Sequence, residues 1–226
     1  MMEKEKQSKK NFIVTGVLLL LFAIYTIMLM TIDVQAIGPE GSKVGFATIN
    51  GFFHNLIGVN MVWYKVTKIT GALDILAMLG MLFLGLVQLI KRKDFFKVDK
   101  DLLILGMFYV LVALMYVLFE VWVINYRPVI LDEGLEASYP SSHTMLAICA
   151  MIPVIMQINK RIKDETIRKI AVISALAIMI ITVGGRLLSG VHWFTDIIGG
   201  ILLGSGLTMI YYSMIKYIFT SKKRNH

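Results

Sequence analysis

The chain has 226 residues, 57% of them hydrophobic, with a mean hydropathy of +0.73 and a formal net charge of +8. Only 17% of its residues are charged, against roughly 25% in a soluble domain, which excludes an ordinary water-soluble enzyme and predicts an integral membrane protein. The basic excess calls for no nucleic-acid partner, because membrane orientation and anionic lipid headgroups account for it.

A basic cytoplasmic tail, residues 1–11, precedes a first apolar run at about 12–32. That run lacks a small-residue cleavage site and is too long for a signal-peptide core, so it reads as a retained anchor. Residues 33–69 follow as an outer, non-spanning segment. Within it, Ile37-Gly38-Pro39-Glu40-Gly41 marks a turn. Phe46 to Tyr64 mixes aromatic and aliphatic residues with small polar ones, as an interfacial helix does. His54 in this stretch reads as structural.

Further apolar runs fall at about 70–90, 102–124, 143–158, 170–188 and 195–218. Each is close to the roughly 20 residues that span a bilayer as a helix. The run at 143–158 is short and carries Pro153. Asp74 in the second is expected to pair with Lys68. Cys149, the single cysteine, cannot close an intrachain disulfide and reads as a packing residue, as do Tyr211-Tyr212 and most of the 15 methionines. With residues 219–226 as a second cytoplasmic tail and no internal repeat, the chain reads as a single all-α domain, 1–226, of six transmembrane helices.

Charge orients that bundle. In a six-helix layout 18 of the 23 Lys and Arg fall on one side, and Lys43, Lys65, Lys68, Arg127 and Arg186 on the other. The positive-inside rule then puts both termini in the cytoplasm. Trp63, Trp122 and Trp193 all come out near the outer interface, where an aromatic belt belongs.

Two polar clusters meet at that outer face. One is Tyr126-Arg127-Pro128 with Tyr139-Pro140-Ser141-Ser142-His143. The other runs from Arg186 through His192 to Asp196. Ionisable groups at membrane depth are costly and usually functional. His192 and Asp196 stand at i, i+4, so within a helix they would share a face. The set makes an anion site with a nucleophile and an acid. His143, His192 and Asp196 would also suit zinc or a di-iron centre by residue type, but two arginines beside them favour an anion, so no metal or other cofactor is expected.

The order Arg-Pro, then Pro-Ser-x-His, then Arg-x5-His-x3-Asp resembles the type 2 phosphatidic acid phosphatase superfamily, in its bacterial membrane lipid phosphatase branch. The matched blocks run from Glu120 to Asp196. The resemblance implies a metal-free phosphohydrolase in the plasma membrane, acting on a lipid phosphate or diphosphate presented by the bilayer. In it His192 would take the phosphoryl group, Asp196 would fix its tautomer, and His143 would protonate the leaving oxygen and then activate water. Arg127, Arg186, Ser141 and Ser142 would hold the phosphate oxygens.

Three positions depart from the family pattern. Glu120 stands where a lysine is usual, Ser142 replaces a glycine, and Gly185 replaces the serine before Arg186. Glu120 lies seven residues before Arg127, so a continuous helix would put it on the same face, as a partner orienting that arginine or as a reader of the substrate headgroup. Transfer of the phosphoryl group to an alcohol is the nearest variant of this chemistry. Anion transport without bond breaking is the reading from a different class.

Overall fold

The computed structural model describes residues 2–131 and 134–221; Asp132, Glu133 and residues 222–226 of the basic C-terminal tail lie outside the described residues. The architecture is all-α. Its helices are α1 (Met2–Thr31), α2 (Ala47–Ile57), α3 (Met61–Arg92), α4 (Lys100–Val121), α5 (Ser142–Arg161), α6 (Glu165–Ser189) and α7 (Phe194–Ser221). All except the short α2 are long and apolar enough to cross a membrane, and α2 falls where an interfacial helix is expected.

The spanning helices extend further than hydropathy suggests. α3 begins at Met61, so the segment after α1 ends at Asn60 rather than at residue 69. Asn60 caps the helix, its side chain accepting from the backbone N–H of Val62 at 3.0 Å and Trp63 at 3.2 Å. A capping side chain satisfies amide groups that a helix start leaves without partners, whatever the hydropathy of the turn that follows. Asp164 does the same for α6, accepting from Ile167 N–H at 2.8 Å. α5 continues through the buried Pro153 to Arg161.

α7 is the centre of the bundle, packed against α1 and α5, while α6 packs against α3 and α5. Lipid offers no hydrophobic drive for helix association, so close approach and buried polar contacts do that work. Thr15 Oγ1 lies 3.0 Å from Ser213 Oγ across the α1–α7 contact. At Gly206 the α1 helix comes so near that a Cβ there would lie 2.8 Å from Leu19 Cδ2. Leu105, Phe108, Val112, Met145, Leu203 and Tyr211 fill the core. Tyr211 also accepts a 2.9 Å hydrogen bond from Gln157 Nε2, and Cys149 is fully buried; both are packing residues, as expected. Leu, Ile, Val and Phe side chains of α1, α3, α4 and α6 are widely exposed, the outward face of a helix bundle in lipid.

The two ends of the bundle differ. At one end the N–H of Asn60 donates to the carbonyl of Ser189 at 3.0 Å, tying the start of α3 to the end of α6 beside His192. At the other, Arg161 bridges Asp99 at 2.8 Å and Asp101 at 3.0 Å, and Lys160 meets Asp101 at 2.8 Å. Hydrogen bonds from Arg161 foremost, then Gln88 and Arg92, hold the Asp99 carboxyl well below the usual carboxylate range. The basic turns at 91–100 and 160–169 therefore lie at the end away from His192. The positive-inside rule predicts that the His192 end is extracytoplasmic, which labelling can test. A cysteine at Glu40 should react with an impermeant maleimide in intact cells, and one at Lys97 or Asp164 should not. The reverse pattern would place the site on the cytoplasmic face.

Candidate active site

The turn between α6 and α7 delivers His192. α6 ends on Gly190, which adopts a left-handed conformation with φ of 64°. It passes so close to Gly58 that a Cβ would come within 1.9 Å of the Gly58 carbonyl oxygen. A left-handed residue ends the helix and suits glycine, and this contact leaves no alternative. Val191, His192 and Trp193 follow as a buried step before α7 starts at Phe194.

Ser138 holds the imidazole. His192 Nδ1 lies 3.2 Å from the Ser138 carbonyl oxygen and 3.1 Å from its Oγ. A carbonyl can only accept, so Nδ1 carries the hydrogen and the Nε2 lone pair is free. Nε2 is buried with no protein partner. Burial, then the charges of Arg127, Arg186 and His143, hold the His192 pKa well below its ordinary value, so the ring is neutral at physiological pH.

Asp196 acts largely through neighbours. Its Oδ2 accepts a short hydrogen bond from Ser138 Oγ and a 2.9 Å bond from the N–H of Trp193. Its Oδ1 lies 3.4 Å from Asn125 Nδ2. The direct distance to His192 Nδ1 is 3.7 Å, longer than either Ser138 contact. Because α7 begins after His192, the pair meets across the helix's first turn and not along one helical face. Asp196 thus caps α7 by the reciprocal arm of a capping box and aligns Ser138, which aligns His192. Ser138 and Asn125 carry no motif in the sequence; only the fold brings them here.

The loop between α4 and α5 brings the first arginine. Its two limbs pair, with Ser138 N–H donating to Asn125 O at 2.9 Å and Arg127 N–H to Glu136 O at 3.1 Å. Trp193 Nε1 donates to Tyr126 O at 2.8 Å and locks this loop to the His192 turn. The Arg127 Nε stands 2.9 Å from Glu136 Oε2. The carboxylate that orients Arg127 is therefore Glu136, and the expected pairing with Glu120 does not form. α4 ends at Val121, so the helical spacing from Glu120 to Arg127 is broken by the loop. Glu120 is exposed and lines a small cleft with Tyr116, Ser138 and Ser142.

Arg186, in the last turn of α6, is 1% exposed, with its Cζ 5.4 Å from the Tyr64 ring centre. Nη1 of Arg127 and Nε and Nη1 of Arg186 are buried without a hydrogen-bond partner. Ser141 is committed internally: its N–H donates to the Asp196 carbonyl at 2.9 Å and its Oγ accepts from Thr144 Oγ1 at 3.1 Å. It anchors the start of α5 to α7. Ser142 and His143 form the first turn of α5, and the His143 ring lies against α3, where a Cβ on Gly71 would come within 2.7 Å of Cδ2. His143 and Ser142 close one end of an apolar groove of about 600 Å³ between α3 and α4.

Two further expectations resolve. Asp74 does not pair with Lys68; it is fully buried, with Oδ2 3.3 Å from the Thr182 hydroxyl of α6. Helical side chains lean toward the N-terminus, so Lys68 reaches back over Tyr64, its Nζ 5.3 Å from the ring centre, and away from Asp74. His54 packs its ring on Trp193, with centroids 5.5 Å apart. Among the described residues no three His, Cys, Asp or Glu side chains converge as metal ligands.

Six membrane-length helices, with two histidines, two arginines and a buried carboxylate at one end, define a multi-pass membrane protein. Residues 122–220 match the model of the PAP2 superfamily. The fold resembles the crystal structure of a transmembrane PAP2-type phosphatidylglycerolphosphate phosphatase from Bacillus subtilis, with a TM-score of 0.64 and 20% identity over 90% of this chain and 96% of that one. Comparison with curated protein sequences finds no match.

Proposed function

We propose that the protein hydrolyses a phosphomonoester or diphosphate on a membrane lipid, without a metal, through a phosphohistidine on His192. The observation that carries this reading is the buried, unpartnered Nε2 of a neutral His192 in company with unpartnered guanidinium nitrogens of Arg127 and Arg186. Buried donors are normally satisfied, and a tetrahedral oxyanion satisfies these. The groove ending at His143 suits the lipid chain. A bacterial plasma membrane and an isoprenyl diphosphate, phosphatidylglycerophosphate or phosphatidic acid type of substrate are consistent with the likeness to a phosphatidylglycerolphosphate phosphatase.

Nε2 attacks phosphorus, and the bond to the leaving oxygen breaks as that oxygen takes a proton from His143. The phosphate's negative charge favours the protonated form of His143 on binding. The arginines neutralise the equatorial oxygens, where phosphoryl transfer concentrates charge. Neutral His143 then takes a proton from water, whose oxygen attacks the same phosphorus. The P–N bond breaks, releasing inorganic phosphate and restoring His192.

Detergent-purified protein should release phosphate from at least one member of a panel of lipid phosphates and diphosphates, with the rate unchanged by a chelator. Binding without release from any of them would favour anion transport and sink the hydrolase reading.

A further inference from the structure

The apolar groove has a polar head. Its wall on α3 includes Gly71, Ile75, Leu79 and Leu82, spaced as one stripe of a helix. Lys68 continues that stripe one turn toward the start of α3, and Tyr64 one turn further. The Lys68 Nζ stands 5.3 Å from the Tyr64 ring centre, and the Arg186 Cζ stands 5.4 Å from the same ring. Two cations from different helices therefore share one aromatic platform, an arrangement that holds each charge at a fixed place.

The two cations differ in their surroundings. Arg186 is buried, and its guanidinium belongs with Arg127 and His192. Lys68 is exposed one helical turn before Gly71, the residue against which the His143 ring packs, and its charge acts on the His143 imidazole together with those of Arg186 and Arg127. Among the described residues no carboxylate lies within ion-pair distance of it. Two arginines suffice for the phosphoryl group being transferred. Lys68 lies instead beside the proposed acid, where the leaving group departs toward the groove.

We propose that Lys68, seated on Tyr64, binds a phosphate that stays with the lipid, so that the site favours a lipid diphosphate over the corresponding monophosphate. This rests on the hydrolase reading above. With a diphosphate, His192 takes the terminal phosphoryl group and the P–O–P bond breaks. The electron pair stays on the bridging oxygen, which takes the His143 proton, and the lipid monophosphate leaves. Lys68 offsets the charge remaining on that phosphate. A monophosphate places no anionic group there.

The test compares kcat/KM for farnesyl diphosphate and farnesyl monophosphate in the parent, Lys68→Gln and Lys68→Arg. Lys68 is exposed, so neither change disturbs packing. Lys68→Gln should lose about tenfold or more on the diphosphate, as loss of a charge-assisted contact does, and less than about twofold on the monophosphate. Lys68→Arg should recover most of the loss. Equal losses on both substrates, or none on either, would overturn the proposal. Calorimetric binding of inorganic pyrophosphate and phosphate to the full chain in detergent needs no turnover. Lys68→Gln should weaken pyrophosphate selectively, and equal weakening or none would count against the subsite even if the protein proved not to be a hydrolase.

Discussion

His192→Ala should reduce phosphate release by at least about a thousandfold, because covalent catalysis has no substitute for its nucleophile. The folded protein should survive the change. The ring's own hydrogen bonds go to a single residue, Ser138, and the turn around it is held independently by Gly190, by the Trp193 bond to Tyr126 and by the Asp196 cap. Radiolabelled substrate should leave an acid-labile, base-stable phosphoenzyme on the parent and none on the variant. Turnover within about tenfold of the parent would remove His192 from the nucleophile's role, since loss of a nucleophile costs orders of magnitude.

Asp196→Asn should be costly in a different way. The carboxylate accepts from three groups, the Trp193 N–H, Ser138 Oγ and Asn125 Nδ2, all from positions with no exposure at Asp196 itself. An asparagine offers one acceptor oxygen and turns an NH2 toward a donor, so at least one buried N–H is left unmatched. That costs about 1–3 kcal/mol of stability, read as a lower melting temperature in detergent. Ser138 then loses its alignment and His192 its tautomer control, with kcat falling by up to about 10,000-fold, the loss seen when a triad carboxylate becomes an amide. KM should change much less, because Arg127 and Arg186 are untouched. Ser138→Ala, which keeps the carbonyl that accepts from Nδ1, should be milder on kcat. An Asp196→Asn protein with parental kcat and melting temperature would refute the relay through Ser138.

The membrane spans were legible in composition because each is a near-continuous apolar run, and the bilayer accepts little else. Their ends were less legible. The first turns of α3 carry Lys65, Thr67, Lys68 and Thr70, which lower local hydropathy although the helix, capped by Asn60, is continuous through them. The residues of the proposed chemistry stood out for the opposite reason, as ionisable groups retained at membrane depth. Arg127, His143, Arg186, His192 and Asp196 are gathered at one end of the bundle, by an even number of crossings between the clusters.

Pair assignments made from spacing within one helix fared worse. Glu120 with Arg127 assumed that α4 continues, and it stops at Val121. Asp74 with Lys68 ignored the lean of helical side chains toward the N-terminus, which sends Lys68 to Tyr64 instead. His192 with Asp196 is close, at 3.7 Å, yet the shorter contacts go through Ser138.

By itself, then, the sequence determined the solvent this chain folds in, the number of its crossings and the polar residues held at one end, because hydrophobic transfer and the cost of buried charge act residue by residue. Which carboxylate orients Arg127, which atom holds His192 and where Lys68 reaches were decided only by the tertiary structure. Hydrogen bonds and ion pairs depend on direction and on distances of a few tenths of an ångström, and those are set by where helices end and how loops return, as when Glu136 and Ser138 come back along Asn125 and Arg127.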